Sequence, residues 1–157
     1  MVVQKLITSD RLSYSFSFMI QRIQTLWLFL AAVAAFLTLK FSFFSGNMIG
    51  PDQNRTFKYL TATSNLVILV FTIAIGITAF ISIFLYKNRK LQMRISLAAM
   101  LLSLLNIVLY FNQTQHFAEG NYDLTALIAL VIPVFFLLAA KGIYNDQKLV
   151  KSLDRLR

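Results

Sequence analysis

The sequence predicts an all-α integral membrane protein: an antiparallel bundle of four transmembrane helices with a C-terminal amphipathic helix. Three observations lead there. The 157 residues are 58% hydrophobic and only 13% charged, with a mean hydropathy of +0.69. Soluble domains are about 45–50% apolar and about 25% charged, and a chain of this size has one core, too small to hide so much apolar surface from water. The apolar residues are also gathered into four long runs, and the basic residues fall in the gaps between them.

Residues 1–18 carry no long apolar run, and Ser9, Ser13, Ser15 and Ser17 interrupt what hydrophobicity there is. Met19 opens Met-Ile-Gln-Arg directly before the first run, so residues 1–18 read as an upstream, disordered or non-native extension and Met19 as the natural start. The transmembrane domain is then expected over 19–141. Its first span is placed from Thr25 to Phe44, about 20 residues or about 30 Å of helix, which matches the hydrocarbon thickness of a bilayer. Arg22 anchors one end, Trp27 has the position of an interfacial aromatic, and Lys40 is near enough to the other end to snorkel. Ala32-Val33-Ala34 resembles a signal-peptidase site, but the apolar run continues past it, as in an uncleaved anchor.

Residues 45–60 read as a loop, because Gly46, Gly50, Pro51 and Asn54 are turn formers. The second span is placed from Thr63 to Tyr86, followed by a tight connection holding Lys87, Arg89, Lys90 and Arg94 and no acid. The third span, Ile95 to Phe111, is the shortest, about 17 residues and at the low end of what crosses a bilayer. A polar stretch follows with Glu119 and Asp123, then a fourth span from Leu124 to Ala140, closed by Lys141. In the tail, 142–157, Leu149, Leu153 and Leu156 recur at helical spacing with Val150 beside them, while Lys148, Lys151 and Arg155 take other faces. That is the pattern of a basic amphipathic helix lying on a membrane surface or docking on a partner.

Charge sets the expected orientation. Lys5, Arg11 and Arg22, the four basic residues of 87–94, and Lys141, Lys148, Lys151, Arg155 and Arg157 all fall on one side of this topology, against Lys40, Arg55 and Lys58 on the other. By the positive-inside rule both termini and the 87–94 turn are cytoplasmic. Lys87, Arg89, Lys90, Arg94, Lys148, Lys151 and Arg155 are the expected contacts to anionic headgroups. The net charge of +9 therefore needs no nucleic acid to explain it. The lack of cysteine excludes disulfides and thiolate chemistry.

Residues able to do chemistry are few. Asp10, Asp52, Glu119, Asp123, Asp146 and Asp154 all fall outside the expected spans, which weakens proton-coupled transport and intramembrane acid–base catalysis, since both use ionisable groups within the membrane. His116, the only histidine, lies near Glu119 in the polar stretch, and one histidine with one carboxylate is too small a set for a tetrahedral metal site. No catalytic, cofactor or metal site is expected. Asn54-Arg55-Thr56 and Asn112-Gln113-Thr114 fit the glycosylation pattern, which is short and arises by chance. Thr72 and Gly76, Ala74, Thr78 and Ser82, and Ala31 and Ala35 are spaced as small residues that let helices approach closely in lipid. Asn106, with Ser103 one turn before it, is expected to bond to a neighbouring helix, and Pro133 to free the carbonyl of Ala129.

The opening Met19-Ile20-Gln21-Arg22-Ile23-Gln24-Thr25-Leu26 and the closing Asp146-Gln147-Lys148-Leu149-Val150-Lys151-Ser152-Leu153-Asp154-Arg155-Leu156-Arg157 resemble a family of small four-helix inner-membrane proteins of Bacteroidota, known only as a domain of unknown function. The resemblance covers residues 19–157 and implies a bacterial inner membrane, but it brings no functional residue. The function expected is a non-enzymatic accessory or scaffold subunit of a larger inner-membrane complex, such as an export or insertion machine. The alternative is a small homo-oligomeric transporter or channel, with Asn106, Ser103, Thr78 and Ser82 lining a polar path. A membrane enzyme would have to use His116, Glu119 and Asp123.

Overall fold

A computed structural model of the chain describes residues 23–49 and 55–154. The expected extension 1–18, the anchor Arg22 and the turn formers Gly50, Pro51 and Asn54 lie outside the described residues. Among those described, four helices form: α1, described over Ile23–Leu37, α2 (Leu66–Phe84), α3 (Arg89–Thr114) and α4 (Ala126–Asp154). Short 3₁₀ turns at Ala62–Ser64 and Leu85–Lys87 flank α2. Three helical stretches, Leu66–Phe84, Arg89–Thr114 and Ala126–Lys148, are long and apolar enough to cross a bilayer.

The helix boundaries follow local chemistry. Asn65 caps α2 by accepting from the Val67 N–H at 2.9 Å, and Asn88 caps α3 by accepting from the Leu91 N–H at 3.4 Å. Helix α3 therefore begins within the basic stretch that, in sequence, has the look of a turn. Arg89, Lys90, Leu91, Gln92 and Met93 are all good helix formers, and one capping asparagine is enough to start the helix there. The fourth helix runs through Pro133 and on to Asp154 without a break, so the tail expected as a separate element continues α4 as far as Asp154.

The all-α expectation needs correction. Between the helices lies a three-stranded antiparallel sheet, β1 (Phe44–Ile49), β2 (Arg55–Leu60) and β3 (Glu119–Tyr122), in the order β2-β1-β3. The first helix accordingly ends at Leu37 rather than Phe44. Its last turn tightens, with the Leu39 N–H on the Phe36 carbonyl and the Lys40 N–H on that of Leu37, and the Phe43 N–H then reaches the Leu60 carbonyl at 2.7 Å. Gly46 and Gly120 face each other across β1 and β3. A Cβ on Gly46 would run into the Glu119 carbonyl oxygen, and one on Gly120 would lie 2.5 Å from the Ser45 carbonyl oxygen. Gly46, a turn former by sequence, is here a residue that lets two strands approach.

Both strand-bearing connections, α1–α2 and α3–α4, lie at one end of the antiparallel bundle, and the α2–α3 turn lies at the other. We refer to the sheet end and the basic end. Two apolar cores fill the described part of the molecule. One joins all four helices through Leu28, Ala31 and Ala35 of α1, Ile75 and Ala79 of α2, Ala99 of α3, and Ile132, Phe136 and Ala139 of α4. The other seats the sheet on the bundle through Phe43, Phe44, Leu60, Ile68, Tyr110 and Ala129. Alanines dominate α1's inward face, so its backbone comes close to its neighbours. Gly76 instead makes room for a ring, since Phe36 sits 3.0 Å from where its Cβ would be. Trp27, expected at an interface, packs partly buried against Phe135, ring centroids 5.8 Å apart.

Candidate functional site

The buried face of α3 is polar along most of its length. Gln92, Ser96, Ala99, Ser103, Asn106 and Tyr110 turn inward, at the alternating four- and three-residue spacing of a helix seam. Leu97, Leu101, Leu104, Leu105 and Val108 face outward. Outward leucines and inward polar groups invert the arrangement of a water-soluble bundle.

In the middle of the bundle most of these groups find partners, while Asn106 Oδ1 is buried without one. The Asn106 side-chain amide donates to Thr72 Oγ1 of α2 at 3.0 Å, and the Tyr110 side chain hydrogen-bonds with Thr38 and Thr72. Ser103 donates to the Met100 carbonyl at 2.7 Å, Ser82 to that of Thr78 at 2.8 Å, and Thr78 to that of Ala74. The four residues considered for a polar path thus use their donors locally or on one neighbour. Asn106 makes the interhelical bond expected of it.

At the sheet end, the three residues a membrane enzyme would need do not converge. His116 is exposed. Glu119 pairs with Arg55 at 3.4 Å, both largely in the open. Asp123 accepts from Ser42, and from Ser45 at 2.9 Å. It therefore ties the start of α4 to β1 and the segment before it. Among the described residues no three His, Asp or Glu side chains come together as a metal site. An apolar groove of about 460 Å³ lies beside this tie, lined chiefly by Phe43, Phe111, Tyr122, Leu124, Leu127 and Leu130.

The basic end has the richest chemistry. Asp146 of α4, part of a surface-lying amphipathic tail by sequence, is only 3% exposed. Its Oδ2 lies 2.6 Å from a terminal nitrogen of Arg89, whose side chain is 27% exposed. The two form a close ion pair that joins the start of α3 to α4. One turn along α3, Gln92 donates to the Ser82 carbonyl of α2 at 2.9 Å. From α1, Gln24 lies against Gly142, where a Cβ would stand 2.7 Å from Gln24 Cγ. Gln24 Nε2, Ser96 Oγ and Gln147 Nε2 are buried with no hydrogen-bond partner. Lys90, Arg94, Lys141 and Lys148 lie around them at the surface, while the side chains of Lys87, Lys151 and Arg155 lie outside the described residues.

Sequence reasoning missed this cluster because it weighed average hydropathy, which a few polar residues among leucines barely lower. The signal was the spacing of Gln92, Ser96, Ser103 and Asn106 in α3, together with Asp146 one turn beyond Gly142 on α4.

Among known protein families, a model described as a domain of unknown function (DUF4293) matches residues 20–156. The chain belongs to this family. Neither curated proteins nor solved structures yield a match. The matched region takes in both helix hairpins, the sheet between them and the basic end, and so embraces every feature described above.

Proposed function

We propose that the chain is a non-enzymatic, multi-pass subunit of a larger bacterial inner-membrane complex, with both termini and the basic end on the cytoplasmic side. The observation that carries this reading is the inverted packing: leucines outward along α3, small and polar side chains inward, and the Asn106 amide bonded across to Thr72 of α2. Such a molecule is stabilised by lipid around it and offers its neighbours short connections, a small sheet at one end and a cationic rim at the other. The bacterial setting rests on the family resemblance, and the orientation rests on the distribution of Lys and Arg. An export or insertion machine is a natural host for a subunit of this kind.

The test is isolation of the natively expressed, tagged chain in mild detergent, with co-purifying proteins quantified by mass spectrometry. A stoichiometric set of larger membrane proteins is expected. Recovery of the chain alone as a defined oligomer would overturn the accessory role and favour the transporter alternative, to be pursued by flux measurement.

A further inference from the structure

We propose that the basic end of the bundle is a built binding site for the phosphate headgroup of one anionic phospholipid. It rests on the membrane-embedded reading above, and not on the accessory role. The buried polar atoms left without partners there are unbalanced in kind. Gln24 Nε2 and Gln147 Nε2 can only donate, and Ser96 Oγ can donate as well. Gln24 is 5% exposed and Ser96 is fully buried, so bulk water does not serve them. An unmet donor in such surroundings is costly, and a group rich in acceptors offsets that cost.

Charge points the same way. Arg89 has donors beyond the one terminal nitrogen that meets Asp146. In this arrangement Asp146 orients the guanidinium. It is a single carboxylate beside Arg89 and the surface residues Lys90, Arg94, Lys141 and Lys148, so the local field favours an anion. Arg89 is also the first residue of α3, where unpaired backbone N–H groups add further attraction for phosphate. The α2–α3 turn and the exit of α4 place this cluster at one end of the apolar helices, the depth at which headgroups lie. Gly142 leaves the space in which the Gln24 side chain sits.

This differs from diffuse attraction to a charged surface. A rim of lysines gathers anionic lipids in bulk and releases them as salt rises, whereas buried donors are screened little. The test uses the full chain, delipidated and reconstituted in phosphatidylcholine nanodiscs, with retained phosphatidylglycerol counted by native mass spectrometry across a titration. One phosphatidylglycerol per chain is expected to bind more tightly than phosphatidylcholine and to persist in about 0.5 M salt, well above physiological ionic strength. Gln24→Leu and Ser96→Ala, which leave every surface charge in place, should each weaken it about fivefold to tenfold. Lys148→Gln should change it less than about threefold at that salt.

Equal retention of the two lipids, or wild-type affinity in both Gln24→Leu and Ser96→Ala, would overturn the site. Displacement of the lipid by inorganic phosphate at millimolar level would overturn the lipid as occupant and make this a site for a free anion. Resistance of the wild-type chain to alkaline extraction from membranes reports on the embedded reading separately. Its loss would sink that reading before the lipid titration is considered.

Discussion

Removing the two partners of the Arg89–Asp146 pair should have unequal effects. Asp146 is the deeper of the two, its side chain 4% exposed against 27% for Arg89. Arg89→Met leaves a carboxylate enclosed without its cation, and breaking a buried pair in this way costs about 3–5 kcal/mol. Asp146→Leu leaves a long, partly exposed guanidinium whose stem can carry the charge outward, so the cost falls to about 1–2 kcal/mol. The double variant removes both charges and should recover most of the loss, since apolar replacement of a whole buried pair is often neutral or stabilising. The single costs together come to about 4–7 kcal/mol, so a near-neutral double variant gives a favourable coupling of about 4–7 kcal/mol, well outside the error of such measurements. The assay is reversible unfolding of the purified protein in mixed micelles, followed by fluorescence of Trp27, the single tryptophan, which packs against Phe135 at the core. Equal costs for the two single variants, or a double variant as unstable as their sum, would refute the depth argument and make the pair a surface contact.

Three further outcomes follow from the geometry. Asn106→Leu and Thr72→Val each remove the 3.0 Å interhelical bond and should cost about 1 kcal/mol, with a coupling of about 0.6 kcal/mol in the same unfolding assay. A coupling near zero would mean the bond contributes nothing. Gly46→Ala drives a Cβ into the Glu119 carbonyl, which backbone cannot yield cheaply, so about 2–3 kcal/mol should be lost and amide exchange at β3 should accelerate while α2 is untouched. Gly142→Ala meets only the flexible Gln24 side chain. Its cost should be about 1 kcal/mol and should vanish in a Gln24→Ala background, as measured by thermal unfolding of the single and double variants.

The sheet shows where linear reading fails. Residues 45–60 read as a loop because glycine, proline and asparagine punctuate them, and β2 is only Arg55–Leu60. Its Phe57 and Tyr59 do alternate with polar neighbours, and their rings meet edge to face at 5.2 Å. Still, a strand of that length is stable only beside a partner. Its partner's other neighbour, β3, lies across two helices in sequence, and no local pattern announces a pairing between Asn47 and Glu119. The sheet exists because α1 stops early and α2–α3 returns the chain to the same end.

The long apolar runs set the number and rough position of the helices, because a hydrophobic stretch has few other ways to satisfy its backbone away from water. Ala31 and Ala35 of α1 and the spacing of Thr72 and Gly76 likewise mark faces that turn inward. Both are local properties that survive averaging. Partnership is not local. Asp146 reads as part of a surface-lying tail until α4 continues past Lys141 and brings it to Arg89, one helix earlier in the chain. Glu119 and Asp123 read as neighbours of His116 until the sheet gives each another partner. Whether a polar side chain is exposed, paired or left with unmet donors depends on what the fold carries to it from elsewhere, and only the tertiary structure decided that.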